Sequence, residues 1–241
     1  MVTSQKNGST QNNRISEVEL KIQPLNLGRL KVNVRGLTPL VVQAFGSKTT
    51  TQLLEAQMRE KGAKQKKIPR CPEEEFLSCF YIVDGEPPEP EIDKDTKQKT
   101  YDPKEVAKFL KNSTFGVPAV GFKNAMIAAC RNTDYTMTNM RQSIAYVRGL
   151  GSHPDYCVIK SKNVPIMDSR VCRLPGAAKT PMVRFRPMWI DWETSMEIEY
   201  DANNMTASEV VNLLAIAGAF VGICEGRPQN CALGWGRWEV V

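Results

Sequence analysis

The residues with the clearest chemical capacity lie near the end of the 241-residue chain, in Gly222-Ile-Cys-Glu-Gly226-Arg-Pro-Gln-Asn-Cys-Ala-Leu-Gly234-Trp-Gly236-Arg237. Four glycines with Arg227, Trp235 and Arg237 are poor material for a core. They suit a loop whose backbone must approach something closely, and a polyanion fits the charge. A second group is Arg170, Arg173, Lys179, Arg184 and Arg186, interleaved with Leu174, Met182 and Phe185. Basic residues around projecting apolar ones can hold phosphates and wedge between bases. An irregular hairpin packed on its own domain would have the same composition. A third group, Lys61-Gly-Ala-Lys64-Gln-Lys66-Lys67 with Lys48 upstream, is a basic loop that no core would accept. Nucleic acid is its obvious partner.

Other chemistries find little support. The single histidine, His153, lies in Gly151-Ser-His-Pro154, a turn context that suits triad catalysis poorly. The seven cysteines form no C-x-x-C pair, so neither a zinc site nor a disulfide framework is expected, and most should be small buried hydrophobes. No paired carboxylates and no nucleotide-binding loop in the sequence support another enzyme. The expectation is a protein that is not an enzyme and holds no cofactor and no metal.

The net charge of +6 conceals alternating blocks. Residues 1–70 hold 13 basic and 4 acidic side chains, 71–105 hold 4 and 11, 106–190 hold 13 and 3, and 191–241 hold 2 and 8. Two basic blocks favour a polyanion surface, and the acidic ones offer a complementary surface to a neighbouring copy of the chain. The longest apolar run, Val210–Cys224, is interrupted and too short to span a bilayer. Met1–Ser16 is polar without an apolar stretch, so residues 1–20 read as a flexible arm and the protein as cytoplasmic, with no membrane partner.

The elements that must position these groups follow from periodicity. Leu30–Arg35 alternates as a half-buried strand, bends at Gly36-Leu-Thr-Pro39 and continues through Leu40–Val42. Thr50–Glu60 has helical spacing, and Glu73–Val83 reads as a short helix running into a strand. Residues 84–99 are a Pro- and acid-rich surface loop, and Asp102-Pro103 opens a helix over 104–111. Phe115–Gly121 reads as a turn-rich lead into a helix burying Phe122, Ala125, Met126, Ala129 and Cys130. Lys123 lies near its start, where a cation opposes the helix dipole. Thr136–Val147 has the spacing of another helix, and 148–186 looks irregular and short-stranded. Met196–Tyr200 is a clean strand, Thr206-Ala-Ser-Glu209 a capping box, and Gly236–Val241 a closing strand. With the irregular segments removed, and one further strand between the helices, the order is β-α-β-β-α-β. The predicted class is α+β, a ferredoxin-like (RRM-like) core over 21–241 with insertions at about 47–115, basic then acidic, and at 148–192, a thumb-like hairpin.

Three segments of this sequence resemble the RAMP superfamily, which includes the backbone subunits of CRISPR effector complexes. Leu37-Thr-Pro-Leu-Val-Val-Gln-Ala-Phe-Gly46 is similar to the strand-ending T-P-L segment of that family. Pro118-Ala-Val-Gly-Phe-Lys123, with Arg131 further on, is similar to its P-x-x-x-x-K loop, and Gly222–Gly236 stands where its glycine-rich loop would. The resemblance implies a subunit that oligomerises along single-stranded RNA or DNA, with other subunits of a ribonucleoprotein complex as further partners. Lys123, Arg227 and Arg237 would then meet phosphates, and the middle insertion would be a thumb. Family members that cleave RNA use an aspartate after the first strand. Between Phe45 and Arg70 this chain has only Glu55 and Glu60. Two alternatives stand beside this reading: a metal-dependent endoribonuclease of the same fold, and a viral structural protein. A phage-encoded relative or a phage single-strand-annealing protein would fit the same patterns.

Overall fold

The alternation that marks the first strand has a physical counterpart: in β1 (Leu27–Gly36), Val32 and Val34 are buried while Arg29, Lys31, Asn33 and Arg35 face outward. The computed structural model describes residues 24–46, 50, 53–54, 57–58, 69–173 and 181–241. The expected N-terminal arm, Lys48, the basic loop, Glu55, Glu60 and the tip of the second insertion lie outside these residues. Thr50, Leu53, Leu54, Gln57 and Met58 are helical, as their spacing predicts.

After β1 the chain bends through Leu37-Thr38-Pro39, and β2 (Leu40–Val41) leaves the first sheet. Pro39 has no N–H to give a strand ladder, so the continuous strand expected over 30–42 divides in two. Then come α1 (Pro72–Ser78), β3 (Tyr81–Asp84), the two-residue strands β4 (Glu91–Ile92) and β5 (Lys99–Thr100), and α2 (Pro103–Asn112). Asp102 caps α2 through a 2.9 Å bond from the Lys104 N–H to its Oδ1. Residues 84–99, expected as an unstructured loop, thus carry a small β4–β5 hairpin.

β6 (Thr114–Pro118) replaces the expected turn-rich lead. Phe115 and Val117 are buried, and Gly116 leaves room for Val83 and Tyr156 on the neighbouring strands. Next are α3 (Ala119–Ala129), a 3-10 turn at Cys130–Asn132, α4 (Met137–Ser143) and β7 (Ile144–Gly149). The helix expected to reach Val147 stops at Ser143. Ile144 and Val147 instead pair with Tyr200 and Ile198, a burial that outweighs local spacing. β8 (Tyr156–Val158) is followed by β9 (Ile166–Arg173) and β10 (Pro181–Trp189), a hairpin within the expected thumb-like segment whose strands are longer than the short fragments read from the sequence. β11 (Glu193–Asp201), α5 (Ala207–Ile216), a π-helical turn at Ala217–Val221 and β12 (Trp238–Val240) complete the fold. The capping box of α5 forms as predicted, and the Tyr135 hydroxyl, donating to Glu209, holds that carboxylate below its ordinary pKa.

One sheet has the order β12-β1-β11-β7, antiparallel throughout. With α3 after β1 and α5 after β11, this is the ferredoxin-like β-α-β-β-α-β core. Phe122, Met126, Val210, Leu213 and Leu214 of the helices cover Val34, Met196, Ile198 and Trp238 of the sheet. The inserted segments join the same core. Phe76, Phe80, Phe109, Phe115 and Trp189 form a chain of mostly edge-to-face rings, with neighbouring centroids 4.5–5.9 Å apart. These rings lock α1, α2 and β6 against the base of the β9–β10 hairpin.

Candidate functional site

The glycine-rich loop takes its shape from its bonds to the bend after β1. Thr38 Oγ1 donates to the Gly234 carbonyl at 2.9 Å and accepts from the Arg237 N–H at 3.0 Å. The Leu37 N–H donates to the Arg237 carbonyl, and the Gly236 N–H to the Pro39 carbonyl. Gly222, Gly226, Gly234 and Gly236 all have φ between 64° and 71°, and Cys224 joins them at 61°. At Gly236 a Cβ would collide with the Ile223 carbonyl, and at Gly226 with the Trp235 ring. Only glycine permits these close approaches.

Against this loop lies one face of the hairpin. Alternation and register place Asp168, Arg170 and Cys172 of β9 beside Arg186, Arg184 and Met182 of β10. Arg186 has only 5% of its side chain exposed; it bonds Asp168 Oδ2 at 3.1 Å and Glu225 Oε2 at 3.3 Å, tying hairpin to loop. Its Nε is buried without a partner in the structure. Arg170 donates to Asp168 Oδ1 at 2.7 Å and stacks its guanidinium 4.5 Å from the Trp235 ring centre. Arg184 donates to Gln43 Oε1 at 2.7 Å. Four guanidiniums, counting Arg227, thus share two carboxylates.

Arg227 stands where two clefts meet. One, of about 500 Å³, opens between β9 and the loop and is lined by Arg170, Arg186, Asn230 and Trp235 among others. The other, of about 230 Å³, lies over the start of α3, with Pro118, Val120, Gly121 and Tyr81 in its wall. Cys224, Glu225 and Arg227 line both. Pro118 gives α3 no side-chain cap, and the first turn holds no acidic residue. That leaves the positive end of the helix dipole uncompensated by side chains. The Arg227 Nε is buried with no partner in the structure. An anion passing from one cleft to the other would meet the Arg227 side chain, which lines both.

The predicted residues therefore separate. Arg170, Arg184, Arg186 and Arg227 come together with Trp235. Trp235, read from the sequence as a ligand contact, is only 7% exposed and packs with Val41 and Met188. Phe185, expected to project from the thumb, packs against the main core because it lies on the hairpin's inner face. Arg237 donates from Nε to the Ala219 carbonyl at 3.0 Å and braces the π-helical turn. Lys123 donates to the Ala145 carbonyl of β7 at 3.0 Å, which explains a cation so near a helix start. Arg131 is exposed beyond the far end of α3, about 18 Å along the helix from its N-terminus. Arg173 enters through its backbone in β9, and Lys48, Lys64, Lys66, Lys67 and Lys179 lie outside the described residues. Sequence reasoning missed Asp168, Glu225 and Gln43. Asp168-Ser-Arg170, a period-two charge pattern in a segment rich in arginine, was the available signal for the first.

Cys71, Cys79, Cys130 and Cys157 are buried, and desolvation pushes the thiols of Cys157 and Cys224 up to about 12. Among the described residues no three His, Cys, Asp or Glu side chains group as metal ligands, and no helix is long and apolar enough to cross a membrane. His153 sits in a turn, its carbonyl accepting from the Tyr156 N–H.

No protein-family model matches the chain, and no curated protein matches it in sequence. Among solved structures, the crystal structure of Cmr6 from Pyrococcus furiosus is similar at 13% identity, covering 90% of this chain and 100% of that one, with a TM-score of 0.35. The fold assignment rests on the strand order itself.

Proposed function

We propose that this chain is a non-catalytic subunit that binds single-stranded nucleic acid and associates with copies of itself. The observation that carries the reading is Arg227, whose buried, unpartnered Nε stands between two clefts beside a hairpin face with more guanidiniums than carboxylates. A strand running from the α3 cleft to the β9 cleft would place a phosphate there and release counterions as it bound. Trp235 then acts by positioning Arg170 rather than by stacking on a base. The resemblance of the T-P-L, P-x-x-x-x-K and glycine-rich segments to RAMP proteins supports the same reading. It favours a place in a ribonucleoprotein assembly like the CRISPR effector backbones.

The test is fluorescence anisotropy of labelled single-stranded RNA and DNA with nuclease-treated protein across a salt series. Binding should weaken steeply with salt, with a log–log slope near −0.7 for each phosphate neutralised. The double variant R170A/R227A should lose most of the affinity at a small cost to its unfolding midpoint, since Arg186 still pairs with Asp168. Absence of binding to either strand at low salt would overturn the reading.

A further inference from the structure

A third cleft, of about 600 Å³, lies away from the glycine-rich loop, where β1 ends and β11 begins. Arg35, Lys160, Lys162, Ile190, Asp191 and Trp192 are among its lining residues. Its charges are unequally engaged. Arg35 is held by Glu193 at 2.8 Å. Asp191 accepts from the Lys162 N–H at 2.9 Å and from Asn163 Nδ2 at 3.1 Å, bonds that draw its carboxyl below the ordinary range and shape the loop. The ammonium groups of Lys160 and Lys162 are exposed and have no ion pair among the described residues. Ile190, 57% exposed, lies beside them, with exposed Leu37 and Val164 next in the chain to the lining residues Gly36 and Asn163. The cleft is basic and apolar together.

The same chain carries a segment of matching chemistry. Asp84, Glu86, Glu89, Glu91 and Asp93 are exposed, with no basic residue among positions 84–93 and no ion pair among the described residues. Pro87, Pro88 and Pro90 restrain this stretch, which lowers the entropy lost when it docks. It leads into the β4–β5 hairpin, which among the described residues pairs with no other sheet and exposes Ile92 by 58%. A two-stranded hairpin with an uncovered isoleucine gains by burying it. We infer that this acidic arm docks in the Lys160–Lys162 cleft of a second copy of the chain, with Ile92 against Ile190 and the carboxylates against the two ammoniums. Arm and cleft are different surfaces, so the contact is head-to-tail. A pair leaves one arm and one cleft free at its opposite ends, so the assembly extends along a line.

This inference rests on the self-association in the proposed function and gives it a surface. Its test is sedimentation of the nuclease-treated full chain without nucleic acid. Wild type should assemble in a concentration- and salt-dependent way. K160E/K162E and E89K/E91K should each weaken association by about tenfold or more, since each sets like charges against one another. The chain carrying all four substitutions should recover assembly, which a general loss of folding could not produce. Wild type that stays monomeric, single-surface variants that assemble like wild type, or a four-fold variant that stays apart would each overturn the docking. Strand binding measured on the same variants separates the two readings. Variants that lose assembly but regain it by charge exchange, in a chain that ignores nucleic acid, overturn the proposed binding and leave the docking intact.

Discussion

Across the open face of the four-stranded sheet each arginine has its own carboxylate: Arg29 meets Glu199, Arg35 meets Glu193 and Arg148 meets Glu197. On the β9–β10 face, among the described residues, Arg170, Arg184, Arg186 and Arg227 have Asp168 and Glu225 between them. The residue types are the same, and pairing separates the two regions. In the sheet, β1 supplies cations and β11 supplies anions in register, so the charge is neutralised within the fold. Among the described residues, the aromatic ring exposed there is Tyr146, whose hydroxyl bonds Asp155 at 3.4 Å. A polyanion gains nothing from displacing pairs already made. On the hairpin face, an excess of guanidiniums is held in place by a few buried bonds and left short of counter-charge, the condition that favours an incoming phosphate.

Several substitutions would break or sharpen this contrast. The largest effect belongs to Arg186→Leu, which leaves buried Asp168 with Arg170 as its one remaining arginine partner and frees Glu225 from the hairpin. Denaturant unfolding should show a loss of about 3–5 kcal/mol, and a loss near zero would mean the hairpin is anchored some other way. Gly236→Ala should cost about 2 kcal/mol by the same measurement, from the left-handed backbone and the clash with the Ile223 carbonyl. Arg227→Ala should leave stability unchanged and lower strand affinity about tenfold, with the salt slope smaller by about 0.7. If its affinity matches wild type, the hairpin face is no more receptive than the sheet. A subtler effect involves Cys224, whose folded pKa of about 12 exceeds its ordinary 9.0. The unfolded chain gives up that proton first, so stability is intact below pH 9 and declines as pH rises toward 12. Cys224→Ala should show a shallower decline over that window in a pH series of thermal unfolding. The smallest change is expected for Arg29→Ala on the sheet, within about 1 kcal/mol and with strand affinity unaltered.

Much of the architecture could be read from the chain because it rests on local periodicity. The alternation in β1 and β11, the capping box at Thr206 and the apolar stripe of α3 all appear where residue spacing puts them. The failures came where distant pairing prevailed. Ile144–Gly149 has helical spacing before it and becomes a strand because β11 offers it a partner. The candidate site divides the same way. Its arginines stand out in the sequence, but which of them are free depends on residues far along the chain: Glu225 is 39 positions from Arg186, and Gln43 is 141 from Arg184. Trp235 looked available among its glycines, yet Val41 and Met188 enclose it from two other strands.

The bond from Thr38 to Gly234 joins residues 196 positions apart, and β12 closes the sheet against β1 across a comparable span. Contacts of such sequence separation form late, because the intervening chain must lose its freedom before they are made. A partly synthesised chain can complete the β9–β10 hairpin, with Arg170 and Arg184 in place, before Glu225 and the glycine turn exist to meet it. On the proposed reading, the strand site, which needs Arg227 beside the hairpin, is complete only with the final pairing of the fold.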